Sequence, residues 1–324
     1  MEDLFTQFYA GGALLVMWGA LLCNWLLPFP REAHPAILWH KFAEQLAEKV
    51  NTRASYSQSL ISGTLAWGLM ILPTLAVLIA LKPLVWQPAL FELAFLLLAI
   101  EWRNTQRFGR LFIEALARND KEQARLLIRP YLNRETRPLS LLGLGKAGVE
   151  TLTMSYGRNL IGVLFWYGIS GATGAFLYRM CVELARAWSP SREYFRPFGL
   201  PAVRVVAILD WLPLRLYSLF ILLGQRSRAT YLLLREQARQ WPLPGPAWLL
   251  VSVGAKLELS MGGPAIYPTD AKHQASKKRI RAKLGGRIAP SAIHVAQVLT
   301  LLNQRLLVWF VLQSLLMAMI YQGF

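Results

Sequence analysis

The amino-acid sequence predicts an all-α fold, a polytopic integral membrane bundle of about five or six membrane-spanning helices. Of the 324 residues, 55% are hydrophobic and only 16% are charged, whereas about 25% of the residues in a water-soluble domain are charged. Several apolar stretches also approach the roughly 20 residues that a helix needs to cross a hydrocarbon core. We therefore interpret the whole chain, 1–324, as a single membrane domain.

The candidate spans follow from the length of each apolar stretch. Five stretches meet the test, at 8–29, 60–81, 84–101, 159–180 and 298–320. A sixth stretch, 205–224, contains Asp210, Pro213 and Arg215, which predicts either a span with a buried polar site or a broken, re-entrant segment. The shorter stretch from Pro246 to Met261 predicts a partly inserted segment.

We attribute the formal net charge of +17 to the way in which Lys and Arg set the orientation of a membrane protein. Lys and Arg are concentrated in the connections 30–59, 102–157 and 268–297, and loops of this kind stay on the cytoplasmic side. The sequence thus predicts a multi-pass protein of a bacterial-type inner (plasma) membrane, with its basic loops in the cytoplasm and the lipid bilayer as its partner. In a six-span topology the connection from Arg186 to Arg204 would lie outside, so either that loop is tolerated there or a flanking segment does not cross fully.

The cytoplasmic connections are predicted to be partly helical. The apolar residues of 36–50 recur at i, i+4 spacing, at Leu38, Phe42 and Leu46. This pattern predicts an amphipathic helix that lies on the membrane. In the loop 102–157, a helical pattern from Arg107 to Leu127 is interrupted before Asp120, a natural N-cap residue, which predicts a helical hairpin. The loop 268–297 is predicted to be a basic loop.

Histidine and cysteine patterns predict no metal site and no disulfide framework. The two cysteines, Cys23 and Cys181, lie in or beside apolar stretches. The four histidines have no metal-ligand spacing; they are His34, His40, His273 and His294. Phosphate-binding loops, nucleophile elbows and HExxH motifs are absent from the sequence. A carboxylate-bound magnesium ion would leave a weaker trace, so that alternative stays open.

Three features are candidates for a binding site. Asp210 and Arg215 lie in one apolar stretch, where they form either a structural ion pair beside Pro213 or a substrate contact. The run Gly262-Gly263-Pro264 predicts either a simple turn or a close approach of backbone to a ligand. The basic run 277–283 either sets the topology or binds anionic lipid headgroups or a phosphorylated substrate. Nucleic acid is not predicted as a partner, because aromatic residues are not interleaved with that run.

Taken in order, these pieces resemble the CobD/CbiB family, membrane proteins known as adenosylcobinamide-phosphate synthases of cobalamin biosynthesis. The resemblance covers nearly the whole chain. The positions that carry it are His34-Pro35, Arg134-Glu135-Thr136, Val149-Glu150-Thr151, Phe165 to Tyr178, Gly199, Arg204, Leu212-Pro213, Arg215-Leu216, Pro244, Trp248, Gly262-Gly263-Pro264 and Tyr267.

The resemblance implies a ligase that joins an aminopropanol or aminopropanol phosphate arm to a corrinoid carboxylate, with ATP and magnesium. These two ligands and the corrinoid substrate are implied by the family alone. The chain departs from the family pattern mainly at acidic and amide residues. The substituted positions are Met154-Ser155-Tyr156, Arg158, Val182-Glu183-Leu184-Ala185, Val206-Ala207, Gly245 and Leu250.

Short stretches also resemble AmpE, a regulatory membrane protein associated with β-lactamase induction. They are Arg118-Asn119-Asp120, Leu164-Phe165-Trp166, Arg186-Ala187-Trp188 and Leu209 to Leu216. This second resemblance implies an alternative function, a non-catalytic regulator or corrinoid-binding protein on the same scaffold. The sequence leaves the enzymatic and the regulatory function open, and it predicts no oligomeric state.

The predicted site lies at the cytoplasmic mouth of the bundle. Glu150 and Asp210 are the candidate catalytic residues, and Glu150 could hold a cation. Five residues are candidates for substrate binding: Arg204, Arg215, Tyr267, Gly262 and Gly263. The two arginines are suited to binding a phosphate or a corrinoid carboxylate.

Overall fold

The structure, a computed structural model, describes residues 12–26, 36–52, 55–269 and 275–321. His34-Pro35 and both ends of the predicted first span lie outside the described residues. The α-helices are α1 Ala13–Leu26, α2 Ala36–Val50, α3 Tyr56–Leu81, α4 Pro88–Ala99, α5 Trp102–Ala117, α6 Lys121–Ile128, α7 Leu141–Tyr156, α8 Val163–Ala187, α9 Leu200–Leu222, α10 Ser227–Gln237, α11 Pro244–Lys256 and α12 Ala292–Tyr321. Two strands, β1 Ser260–Pro268 and β2 Ser276–Gly285, lie between α11 and α12.

Four helical segments among the described residues are long and apolar enough to cross a membrane: Tyr56–Leu84, Leu141–Ala187, Leu200–Leu222 and Ala292–Ile320. The predicted all-α membrane protein is thereby confirmed, while the count of five or six crossings stays a prediction. Within the predicted span 84–101, α4 has 12 residues, about 18 Å of helix. That is shorter than a hydrocarbon core of roughly 30 Å.

The longest helical segment changes its pitch in the middle. Residues Gly157–Gly162 form a π-helical turn between α7 and α8, a feature that is often found at functional sites. A Cβ added at Gly157 would meet Leu249 Cδ2 at 2.5 Å, so the turn packs closely against α11 and a larger residue would displace the Leu249 side chain. The turn places Arg158 and Asn159 next to each other on the inner side of the bundle, where both line a cavity.

The helix predicted over 36–50 and the helical hairpin predicted within 102–157 are both present. Helix α2 buries Ala43 and Ala47 against α8 and leaves Leu38 and Phe42 exposed, as an amphipathic membrane-surface helix requires. The indole of Trp188 donates a hydrogen bond to Ala43 O at 2.9 Å and fixes α2 in place. Helices α5 and α6 form the predicted hairpin. The Asp120 carboxylate accepts a hydrogen bond from Gln123 N at 2.9 Å and caps α6.

An antiparallel β-hairpin occupies part of the predicted basic loop 268–297. Strands β1 and β2 pair with a bulge between Gly262 and Gly263, whose φ angles are +75° and +88°. The predicted Gly262-Gly263-Pro264 turn is therefore wrong, because these glycines form a bulge inside β1. A Cβ on Gly262 would meet Ala282 O at 1.9 Å, so glycine is required there.

Helix α3 offers a direct test of the packing. A Cβ at Gly63 would meet the backbone oxygen of Phe198 at 1.9 Å, whereas a Cβ at Gly68 would meet only Leu72 Cδ1 at 3.8 Å. We expect Gly63→Ala to destabilise the protein by about 1–3 kcal/mol, because the backbone of the connection after α8 must move. Thermal unfolding in detergent measures this, with Gly68→Ala as the matched control. Equal melting temperatures for both variants would contradict the packing of α3 on Phe198.

Candidate functional site

A cavity of about 1170 Å³ opens among α2, α7, the π-helical turn, α8, the start of α9 and the β-hairpin. Eight arginines line it, at positions 158, 179, 186, 192, 196, 204, 279 and 281, together with four glutamates, at positions 44, 101, 150 and 183. The aromatic side chains of Tyr131, Trp241 and Tyr267 also line the wall. The cavity is thus strongly cationic, and its cations are guanidinium groups, which bind carboxylates and phosphates in a bidentate manner.

Glu150 holds the β-hairpin against α7. Its Oε1 accepts hydrogen bonds from Gly262 N at 2.7 Å and from Arg281 Nη2 at 3.2 Å. Its Oε2 accepts from Arg281 Nη1 at 2.9 Å and from Arg134 Nη2 at 3.1 Å. We call Glu150, Arg134 and Arg281 the Glu150 cluster. Its carboxylate is bonded at both oxygens by protein donors.

The two arginines of the Glu150 cluster lie outside the spanning helices, and their pKa values are shifted in opposite directions. Burial lowers the pKa of Arg134, and the neighbouring Arg281 lowers it further against the opposing effect of Glu150. Burial also acts to lower the pKa of Arg281, but the bidentate Glu150 carboxylate outweighs that effect and raises it. Arg281 is therefore the closer electrostatic partner of Glu150.

A second buried cluster surrounds Arg179. This guanidinium is 2% exposed and binds Glu101 Oε2 and Glu183 Oε1, each at 2.7 Å. It also donates to the side-chain oxygen of Asn159. Glu183 in turn lies 2.7 Å from His40 Nε2, which links the cluster to α2. We call these residues the Arg179 cluster; in it, both glutamates serve as counter-ions for the guanidinium.

Asp210 pairs with Arg158 on the adjacent π-helical turn. Arg158 Nε and Nη2 both bind Asp210 Oδ2, each at 2.8 Å. The Tyr178 hydroxyl donates to Asp210 Oδ1 at 2.7 Å. Asp210 is fully buried and lies behind Arg158, which is the member of the pair that lines the cavity.

The expected pairing of Asp210 with Arg215 is wrong. Residues five positions apart on an α-helix point to different faces, because only i, i+3 and i, i+4 neighbours meet. The Arg215 guanidinium instead lies over the rings of Trp211 and Trp248, with centroid distances of 4.4 and 4.9 Å. Arg215 does not line the cavity.

The other predicted site residues divide into two groups. Glu150, Arg204 and Tyr267 line the cavity. Gly262 and Gly263 do not, and their backbone groups are engaged within the protein, with Gly262 N donating to Glu150 and Gly263 O accepting from Arg281 Nε. The structure therefore brings three of the seven predicted residues to one cavity.

Sequence reasoning missed the buried ionic residues that shape the cavity. Arg179 lies inside the predicted span 159–180, and Arg158 and Glu183 lie just beyond its two ends. An ionisable residue at membrane depth signals a functional or paired site. That signal was available for these residues as it was for Asp210. The partners Glu101 and His40 come from other segments, so their proximity required the folded structure.

The residues present do not fit the magnesium ion that the family resemblance implies. Among the described residues there is no group of three or more His, Cys, Asp or Glu side chains placed to hold a metal ion. The cavity carboxylates of Glu101, Glu150 and Glu183 are neutralised by guanidinium groups. Magnesium favours oxygen ligands that are free of competing cations, so these carboxylates are poor candidates.

Comparison with known proteins gives related sequences but no related structure. The CobD/Cbib protein family matches residues 17–300. The cobalamin biosynthesis protein CobD of Stutzerimonas stutzeri (strain A1501) is 30% identical over 294 residues, which cover 90% of this chain and 93% of the relative. The cobalamin biosynthesis protein CobD of Chromobacterium violaceum is 27% identical over 295 residues, with 90% and 92% covered. No solved structure matches the chain.

The Glu150 cluster predicts that Glu150→Ala releases the β-hairpin. The substitution leaves Arg134 and Arg281 without their counter-ion in a buried setting, which costs about 3–5 kcal/mol. Because β2 contains Lys277, Lys278 and Arg279, limited digestion with trypsin should cut it much faster in the variant. Glu122→Ala is the control, since Glu122 forms only an exposed pair with Arg125. Equal cleavage rates in both variants would contradict the anchoring role.

Proposed function

The chain belongs to the CobD/CbiB family, and from this premise we propose that it works in cobalamin biosynthesis, where it attaches an aminopropanol or aminopropanol phosphate arm to a corrinoid carboxylate. The relatives from Stutzerimonas stutzeri and Chromobacterium violaceum, which this chain matches over 90% of its length, are cobalamin biosynthesis proteins. The product bond is an amide, so the chain would act as a ligase.

The observation that carries the proposal is the arginine-lined cavity. Its volume of about 1170 Å³ is somewhat larger than that of most small-molecule sites, which span roughly 300–1,000 Å³. A corrinoid is a large ligand with several side-chain carboxylates and amides, and an aminopropanol phosphate arm adds a phosphate. Carboxylates and phosphates match guanidinium donors. Arg196 and Arg204 line the cavity without an ion pair to any described residue, so both are available for a ligand.

The contribution of these residues to the reaction is binding and orientation. Amide formation needs the carboxylate carbon and the amine nitrogen to be held close together, and fixed geometry lowers the entropic part of the barrier. Arg204 and Arg196 would hold the anionic ends of the two substrates, and Tyr267 and Trp241 would offer apolar surface to the ring. ATP, the energy source that the resemblance implies, carries a polyphosphate that guanidinium groups also bind.

The proposed cellular location follows from the charge pattern. Basic connections stay on the cytoplasmic side of a bacterial inner membrane, and the cavity is lined by residues of α2 and β2, which belong to two of those connections. A cytoplasmic mouth would give soluble substrates and nucleotide direct access. The regulatory alternative drawn from the AmpE-like stretches is not favoured, because the family match over residues 17–300 and the two relatives described above are all CobD proteins.

Complementation tests the proposal. We expect the wild-type chain to restore cobalamin-dependent growth to a bacterial strain that lacks its own synthase, when a corrinoid precursor is supplied. Arg204→Ala should reduce the growth rate, because one anion-binding group is lost from the cavity. Arg228→Ala is the control, as this exposed arginine of α10 does not line the cavity. Failure of the wild-type chain to restore growth, with its presence in the membrane confirmed by immunoblot, would exclude the ligase.

A further inference from the structure

We propose that Arg158, held by Asp210 and Tyr178, is a metal-independent binding site for one oxyanion of the ligand, a carboxylate or a phosphate. This inference rests on the proposed function for the identity of the ligand, but the site itself is argued from the structure. Asp210 and Tyr178 are positioning residues in this account, since neither of them lines the cavity. Arg158 lines the cavity and is the group that meets the ligand.

The hydrogen bonds of Arg158 leave one edge of its guanidinium free. Nε donates to Asp210 Oδ2, and Nη2 lies 2.8 Å from the same oxygen as an ion-pair contact. Within the described part of the chain, Nη1 donates no hydrogen bond. A guanidinium has five N–H donors in a rigid plane, so the Nη1 side keeps donors for a second acceptor. Its side chain is 24% exposed, which leaves it accessible from the cavity.

Both carboxylate oxygens of Asp210 are bonded within the protein, and the side chain is not exposed to a ligand. Its Oδ1 accepts the Tyr178 hydroxyl and its Oδ2 accepts Arg158. The side chain of Asp210 is fully buried. If Arg158 moved away, the Asp210 carboxylate would be a buried negative charge without a counter-ion, which is costly. The carboxylate therefore fixes the plane of the guanidinium, and the Tyr178 hydroxyl fixes the carboxylate.

The backbone around Arg158 is held as firmly as its side chain. The next residue, Asn159, accepts a hydrogen bond at its carbonyl oxygen from Glu101 N at 3.4 Å, and its side-chain nitrogen donates to Glu101 Oε2 at 3.2 Å. Asn159 also binds Arg179. A binding group on a clamped backbone loses little conformational freedom when the ligand arrives, which favours affinity.

The charges of the surroundings favour an anion and disfavour a cation. The glutamates nearest to this wall, Glu101 and Glu183, are counter-ions of Arg179. Arg204 and Arg196 add positive charge on the same cavity. An oxyanion bound at Arg158 would thus be stabilised by guanidinium groups in the role that a divalent cation has in other phosphate sites.

The test uses purified full-length protein in phosphatidylcholine nanodiscs, with O-phosphoethanolamine as the probe and titration calorimetry as the readout. We expect the same dissociation constant in EDTA and in magnesium. Because Arg158→Met alone would strand the buried Asp210, the deciding variant is Arg158→Met/Asp210→Asn, in which both charges are removed. It should remain folded, with a cooperative melting transition, and bind the probe at least about tenfold more weakly.

Two further variants separate a binding role from a structural one. Asp210→Asn keeps the Arg158 charge but loosens its orientation, so we expect an intermediate loss of affinity. Arg228→Ala, on the exposed face of α10, should bind as the wild type does. A folded Arg158→Met/Asp210→Asn protein with wild-type affinity would overturn the proposal, as would probe binding that is lost in EDTA.

The source of the oxyanion is distinguished by changing the lipid. In phosphatidylglycerol nanodiscs the soluble probe should bind as before. If the anionic lipid abolishes probe binding, a lipid phosphate occupies the site and the proposal of a soluble ligand is wrong. Growth complementation without any probe binding would overturn the Arg158 site and leave the proposed function standing. Probe binding at Arg158 without complementation would overturn the proposed function and leave the Arg158 site standing.

Discussion

Burial of charged side chains inside a membrane-embedded bundle is the constraint on which the site depends. A desolvated charge is costly unless an opposite charge and hydrogen bonds accompany it. Around the cavity, three clusters of described residues meet this requirement, with Glu150 between Arg134 and Arg281, Arg179 between Glu101 and Glu183, and Asp210 against Arg158. Each pairing joins different segments, so the same contacts that neutralise the charges also hold α7, α8, α9 and the β-hairpin together.

The pairing decides what chemistry remains available in the cavity. Each buried carboxylate that lines the cavity is bonded to a guanidinium group, so these acids stabilise the fold. The arginines outnumber the acids. Arg204 and Arg196, which form no ion pair with any residue that the structure describes, line the cavity together with Arg158. The chain therefore combines the scaffold of its family with a cationic wall. Anion recognition by guanidinium groups follows from that arrangement without a metal ion.

Much of the fold could be predicted from local patterns. The amphipathic 36–50 helix follows from i, i+4 periodicity, and the hairpin after α5 follows from its Asp120 cap. The β-hairpin could not be predicted this way, because β2 is a run of basic residues whose pairing with β1 depends on the rest of the fold. Two glycines in succession resemble a turn, and only the register shows that they form a bulge.

The site was predictable only in part, for a similar reason. Glu150, Arg204 and Tyr267 carry family motifs and do line the cavity. The partners of Glu150 and Asp210 are separated from them by long stretches of chain, 131 residues in the case of Arg281 and 52 in the case of Arg158. Nearness in sequence suggested that Arg215 is the ion-pair partner of Asp210. The two residues are five positions apart on one helix, however, and point to different faces. Long-range charge pairing is a property of the fold and has no local signature.

Electron paramagnetic resonance of Mn²⁺ added to the purified protein tests the central claim most directly, because Mn²⁺ binds the same oxygen ligands as Mg²⁺. If the buried carboxylates are neutralised by arginines, the spectrum should remain that of the free hexaaqua ion at equimolar protein. A stoichiometric bound signal that disappears in Glu150→Gln or in Glu101→Gln would show that these carboxylates are free to hold a metal ion, and would contradict the account.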